Sequence, residues 1–227
     1  MSDNSLQMFV GAPPAWSLRR PKPLWQQAWD FVGAPLRMVV LPDHVNENLH
    51  LTSLRAERMA NVLPVLQGRV LDIGAGDNML LKLYAAEGGD ETSIGLDVMD
   101  WGGGCTIVEN CKKLPFDEAS FDTVSFIACI NHIPERKEAL LETLRVLKPG
   151  GQVVITMIGR VIGVVGHALW WYSEDKHREV DHEEEMGMNP DEIRTLLSEA
   201  GFTDIQESGF VYGLNRLYTA RKQVNQD

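Results

Sequence analysis

Cysteine is sparse in this 227-residue sequence, and its placement gives neither a disulfide framework nor a zinc site: Cys105, Cys111 and Cys129 stand apart without CxxC spacing. No basic-then-apolar leader opens the chain. These features predict a reduced, cytoplasmic protein. Positive charge is short as well. Lys and Arg number 21 against 32 Asp and Glu, a net charge of -11, so most of the exterior repels a phosphate backbone or an anionic lipid surface. A nucleic-acid partner is therefore not expected, although a local basic patch remains compatible with the total. A long uninterrupted apolar run is also missing. The most apolar stretch, from Ile155 to Tyr172, is broken by Arg160, His167 and glycines at 159, 163 and 166, which argues against a stable membrane span. Repeats and low-complexity tracts are absent.

What is present is the composition of an ordinary globular protein, 44% hydrophobic and 23% charged, long enough for one substantial core. Residues 1 to about 50 mix prolines, tryptophans and apolar residues without a sustained period, and predict an irregular arm with short helices that contributes to a cap. Thr52 to Val62 has helical spacing and ends before Pro64 and Gly68. From Arg69 onward, short apolar runs alternate with helical periods, the pattern of a parallel sheet. Strands are predicted at Arg69 to Ile73, Ser93 to Leu96, Thr106 to Val108, Thr123 to Ile127 and Gln152 to Met157, with helices at Met79 to Ala86 and Glu135 to Leu147. Asn189, Pro190 and Glu192 open a last helix that Gly201 closes. Thr203 to Ser208 and Arg216 to Ala220 then form an antiparallel hairpin. The class is α/β, a mostly parallel seven-stranded sheet with the last strand antiparallel. Residues 51–227 are expected to form the catalytic domain, with a cap insertion at about 158–188.

The chemistry centres on Val70-Leu71-Asp72-Ile73-Gly74-Ala75-Gly76-Asp77-Asn78, a strand running into a glycine turn and then a helix. Gly74 and Gly76 let the backbone turn sharply and let a ligand approach where a Cβ would intrude. About twenty residues on, Asp97 ends the next predicted strand, where a carboxylate can accept hydrogen bonds from both ribose hydroxyls of a nucleoside.

Three further pieces follow in order: Leu114-Pro115-Phe116, Phe121-Asp122, and Leu147-Lys148-Pro149-Gly150-Gly151 closing a helix. With the glycine turn and Asp97, residues 69–157 resemble the class I S-adenosylmethionine-dependent methyltransferases of Rossmann-like fold, in particular their small-molecule subgroup. The resemblance implies S-adenosylmethionine as cofactor. It puts Asp72 near the ammonium of the methionine part, with the backbone of Gly74 and Gly76 beside it. Asp97 would hold the ribose, Val98 pack on the adenine, and Asn110 and Cys111 read the adenine edge. Ile127 would line the other side. Asn78 stands where the family has a third glycine and is expected to cap the following helix. Only residues 98–105, with Gly102-Gly103-Gly104, separate strands two and three where the family inserts a helix, so a glycine loop is expected there and a more open adenine side with it.

Two other readings share these residues. A nicotinamide-dependent oxidoreductase uses the same turn and acid but leaves the LPF, FD and LKPGG motifs unexplained. A non-catalytic cofactor-binding partner subunit explains them equally well. For catalysis, His132 follows strand four on the substrate side, where a structural or cofactor-side role competes with that of a base. His167 is a second candidate base. It lies in Ile158 to Tyr172, a stretch expected to cover a small apolar or aromatic acceptor, opposite Trp16, Trp25 and Trp29 of the arm. The His177 to Glu185 run reads as a solvated acidic segment before the last helix, and no metal is expected.

Overall fold

The computed structural model describes residues 11–159 and 188–224. Residues 160–187 of the expected cap, with His167 and the His177 to Glu185 run, lie outside them. The chain begins with helix α1 (Leu24–Val32), a π-helical turn (Leu36–Val40), α2 (Asp43–Asn48) and α3 (Leu54–Val62). Strands β1 (Val70–Ile73), β2 (Ile94–Asp97), β3 (Thr106–Ile107), β4 (Phe121–Ile127) and β5 (Leu147–Ile158) follow, with α4 (Met79–Ala86) and α5 (Arg136–Val146) between them. Helix α6 (Pro190–Ala200) and the hairpin β6 (Thr203–Phe210) and β7 (Asn215–Arg221) complete the chain.

The seven strands form one sheet in the order β3-β2-β1-β4-β5-β7-β6. Strands β1 to β5 pair in parallel, and β7 runs antiparallel to both β5 and β6. The expected fold class holds, and the strand order reverses between β1 and β4, so the ligand crevice belongs at their carboxyl ends. Alternation along the strands divides the core between the two faces. Leu71, Ile73, Val153 and Ile155 pack with Leu140 of α5 and Ile193 and Leu197 of α6. Val70 and Val154 pack on the opposite face with Val62 of α3 and Leu80 of α4.

The sequence motifs explain the lower half of the sheet. Asp122 accepts from the Arg69 backbone N–H at 2.9 Å and pairs with the Lys148 amine at 2.8 Å, stapling β4 to the start of β5. Arg145 of α5 donates to the Phe116 and Leu114 carbonyls at 2.8 and 3.1 Å, while Glu142 accepts from the Leu114 N–H at 2.8 Å. These residues hold the framework and sit away from the glycine turn. The last helix is capped as expected: the Glu192 carboxylate accepts from the Asn189 N–H at 2.8 Å, and Gly201 stops it at φ +100°.

The arm is more ordered than its sequence predicts. It is fastened by a buried ionic network that no local period reveals. Lys22 donates to Asp30 at 3.0 Å and to Glu57 of α3 at 2.6 Å, and Arg37 donates to Glu57 at 3.1 Å and to the Thr52 carbonyl at 2.8 Å. Arg20 also pairs with Glu57. Asp30 accepts from both the backbone N–H and the hydroxyl of Thr52, at 2.8 and 2.7 Å. Burial pushes the Lys22 amine down against the pull of Glu57 and Asp30. Burial works to raise Asp30, but the Thr52 hydrogen bonds and Lys22 hold it below its ordinary value. Arg37 reaches on to the Tyr212 hydroxyl at 3.0 Å, tying the arm to the β6–β7 turn.

Candidate functional site

The carboxyl ends of β1, β2 and β4 open into a cleft of about 640 Å³. The backbone there is forced into the left-handed region at Gly74 (φ +72°), Gly76 (+57°), Asn78 (+62°) and Ala128 (+57°), a cluster that fits a functional turn rather than a plain connection. Glycine at 74 and 76 removes the steric cost of that conformation. Asn tolerates it better than other side chains, which accounts for Asn78 in place of a third glycine.

Of the residues singled out by sequence, Asp72, Gly74, Gly76, Asp97, Val98, Asn110, Cys111, Ile127 and His132 all line this cleft. Asn78 does not. It occupies the N-cap position of α4 but makes no side-chain cap hydrogen bond. The expected cap is corrected to Asp77, whose carboxylate accepts from the Met79 N–H at 3.2 Å. The Asn78 amide oxygen instead fills the space beside Gly95, where a side chain would come within 2.4 Å of it.

Asp97 is the hub. Its carboxylate accepts from the Gly76 N–H at 2.9 Å, the Met99 N–H at 3.0 Å and the Trp101 indole N–H at 3.3 Å. Val98 beside it is 53% exposed, an apolar surface open to the cleft. Asn110 is turned onto its own loop, its amide oxygen accepting from the Lys112 N–H at 3.0 Å. Burial pushes the thiols of Cys105 and Cys111 up to about 11, so both stay protonated, and Cys111 serves the cleft as a wall rather than a nucleophile.

The loop at residues 98–105 is helix-free as expected. It folds over the glycine turn: the Cys105 thiol lies 3.4 Å from the Gly76 carbonyl, and Trp101 lines the cleft. Gly103 abuts Asp77 so closely that a Cβ would sit 2.4 Å from its backbone. Gly103→Ala is expected to push the loop off the turn and to weaken S-adenosylhomocysteine binding several-fold while the far-UV spectrum stays unchanged. Wild-type affinity in the variant would show that the packing of the loop does not matter to the site.

Asp72 is buried at the end of β1 and accepts from the Ser125 hydroxyl at 2.6 Å. Burial pushes it up to about 7; the Ser125 hydrogen bond opposes this, and the charge of Asp97 adds to it. Among the described residues no cation offsets the burial, so this carboxylate has the character of a site awaiting a positive group. Its stability contribution to the free protein is full below the ordinary carboxylate range and is lost as pH rises through about 7. A bound ammonium favours the ionised form and reverses the dependence. Cofactor binding is therefore expected to weaken several-fold from pH 7.5 to pH 6, with release of less than one proton, and both effects are expected to vanish in Asp72→Asn. Equal affinity at both pH values would contradict an ion pair at Asp72.

Sequence reasoning missed Trp101 and five residues of the arm and α3 that line the cleft, Asp43, Leu54, Arg55, Arg58 and Met59. Of these, Arg55 pairs with Asp77 at 2.5 Å and so clamps α3 to the glycine turn. Trp16, Trp25 and Trp29, expected opposite the Ile158 to Tyr172 stretch, are not among the residues lining this cleft, and most of that stretch lies outside the described residues. Trp16 stacks on His50 at 5.0 Å, and Trp25 and Trp29 point outward.

A family model described as a methyltransferase domain matches residues 46–207. The chain belongs to that family. This methyltransferase-domain protein is 30% identical to the ubiquinone/menaquinone biosynthesis C-methyltransferase UbiE of Bordetella avium over 158 residues, 63% of this chain and 61% of that one. It is 28% identical to 24-methylenesterol C-methyltransferase 2 of Oryza sativa subsp. japonica over 178 residues, 69% of this chain and 47% of the plant enzyme. It thus spans less than two thirds of the length of either. Its fold matches a SAM-dependent methyltransferase of Archaeoglobus fulgidus with a TM-score of 0.55 at 20% identity, covering 73% of this chain and 91% of that one.

Proposed function

We propose that the protein transfers the methyl group of S-adenosylmethionine to a small apolar or aromatic organic acceptor. The observation that carries this reading is the single cleft that gathers two strand-end carboxylates, Asp72 and Asp97, with the apolar surface of Val98. A volume of about 640 Å³ suits a nucleoside-sized cofactor with room for part of an acceptor. The donor set fits the cofactor: a buried carboxylate for an ammonium, an acid beside a glycine turn for ribose hydroxyls, and an open valine for a purine face.

S-adenosylmethionine supplies a methyl group already activated on a sulfonium, so the chain's own work is to bind, orient and exclude water. Asp72 holds the ammonium and Asp97 the ribose, while Asn110 and Cys111 close around the adenine and Ile127 lines the other side of the site. The left-handed turn at Gly74 and Gly76 brings backbone rather than side chain to the cofactor. Leu54 and Met59 give the acceptor side its apolar wall, and the names of the two curated relatives, which concern a quinone pathway and a sterol, agree with an acceptor of lipid-like character. His132 and Asp43 are the titratable groups proposed to take the proton that an acceptor releases. Burial pushes Asp43 up ahead of the opposing Arg58 and Arg55 charges, which strengthens it as a base.

The test is transfer of labelled methyl from the cofactor to a panel of phenols, prenylated quinols and sterols, with amines, peptides and transfer RNA in parallel. Label extracted into organic solvent supports the reading. Label in the water-soluble or macromolecular acceptors alone rejects it, and cofactor binding without transfer to any class favours a non-catalytic subunit.

A further inference from the structure

A buried carboxylate is costly to ionise, and it stays usable near neutral pH only where a donor favours the charged form. The sheet offers Asp72 one such donor. In register, Asp72 stands between Gly95 of β2 and Ser125 of β4, and Ser125 stands between Asp72 and Val154 of β5. Residues level with one another on parallel strands project to the same face, so the row reads glycine, aspartate, serine, valine. Gly95 has no side chain, and the Asn78 amide oxygen that takes its place is an acceptor, which brings no proton to a carboxylate. Val154 is apolar and fully buried. Across this row the Ser125 hydroxyl and the Asp72 carboxylate have only each other.

Ser125 is fully buried and Asp72 nearly so. The hydroxyl donates to Oδ1 of Asp72 at 2.6 Å, the length of a charge-assisted O–H···O bond. That bond fixes the rotation of the carboxyl group. With Oδ1 committed to β4, Oδ2 is the oxygen that Asp72 presents to the cleft it lines. Nothing in the sequence marks Ser125 out; strand register brings it to Asp72 across 53 residues.

The charges nearby do not replace this donor. Asp97 on β2 opposes ionisation of Asp72. On α3, Arg55 is engaged with Asp77 of the glycine turn and Arg58 acts on Asp43 of α2, and neither offsets the burial of Asp72. The Cys105 thiol in the loop after β2 stays protonated, and the Cys129 thiol after β4 donates to the Ile73 carbonyl at 2.9 Å. His132 lines the same cleft beyond β4 without offsetting that burial either.

We propose that Ser125 is a positioning residue of the cofactor site: its hydroxyl locks one oxygen of Asp72, turns the other toward the cofactor's ammonium and favours the charged form that receives it. The proposal rests on the reading of the cleft as an S-adenosylmethionine site. It adds that the pH range of binding is set from β4, by a residue that touches no cofactor atom.

Two measurements test it. Carbon-13 NMR of the aspartate-labelled full chain reads the Asp72 titration without cofactor, with Asp72→Asn assigning the signal. The wild-type midpoint of about 7 is expected to rise by about one to two pH units in Ser125→Ala and to return toward wild type in Ser125→Thr, which keeps the hydroxyl. By calorimetry, Ser125→Ala is expected to bind S-adenosylhomocysteine about 3-fold to 25-fold more weakly than wild type at about pH 7.5, and about twofold or less more weakly at about pH 9. Ser125→Cys keeps the volume with a weaker donor, is expected to fall between the two, and serves in place of the alanine variant should that one not fold. With wild-type binding intact, an unmoved midpoint, or a loss of affinity equal at both pH values, overturns the role of Ser125 alone. No binding by the wild type at either pH overturns the reading of the cleft itself, and the cofactor role of Ser125 with it.

Discussion

Asp97→Ala is expected to weaken S-adenosylhomocysteine binding by about 2–4 kcal/mol, a loss of roughly 30-fold to 1000-fold. The ribose contributes through charge-assisted hydrogen bonds, and the same carboxylate also fixes the Gly76 and Met99 amides that shape the turn and the loop. A carboxylate has about four acceptor positions, and three are already engaged here. Two ribose hydroxyls therefore require one protein donor to give way. The Trp101 indole, at 3.3 Å the longest of the three, is the one expected to yield, so binding should change tryptophan emission in the wild type and not in Trp101→Phe. Unchanged affinity in a folded Asp97→Ala variant, measured by calorimetry, would remove Asp97 from the cofactor site.

Glu57→Ala should lower folding stability by about 3–5 kcal/mol, because it strips the shared partner from Lys22, Arg37 and Arg20 and leaves the first two buried without it. The expected readout in urea is a midpoint shifted far down at a similar slope. Glu57 lies on α3 between Leu54 and Met59 of the cleft wall, so methyl transfer should fall with it even below the unfolding transition. A midpoint within experimental error of the wild type would mean that the arm is held by its apolar contacts instead.

The contrast between these two residues shows what the sequence makes legible. Asp97 was readable because its meaning is local: an apolar run, a glycine turn and an acid at a fixed distance form one βαβ unit. The same holds for Asp72, for β1 to β7, and for the α6 cap, where period and turn chemistry agree. Glu57, Lys22, Asp30 and Arg37 were not readable, because each looks like a surface charge until the chain brings them together across up to 35 residues. The outward apolar face of α1, with Leu24, Trp25 and Phe31 exposed and Gln26 and Asp30 buried, was hidden by the same cause. An amphipathic helix is read apolar side inward, and only a buried polar network turns it over. Asn78 was expected to cap because Asn often does, but its left-handed backbone points the amide toward Gly95, and the neighbouring Asp77 takes the role.

The central claim is that the carboxyl ends of β1, β2 and β4 form an S-adenosylmethionine site. Titration calorimetry of the full chain with S-adenosylhomocysteine at pH 7.5 tests it most directly. The account predicts one saturable site per chain with affinity that falls at pH 6 and collapses in Asp97→Ala; no heat and no competition with labelled S-adenosylmethionine at high protein concentration would contradict it.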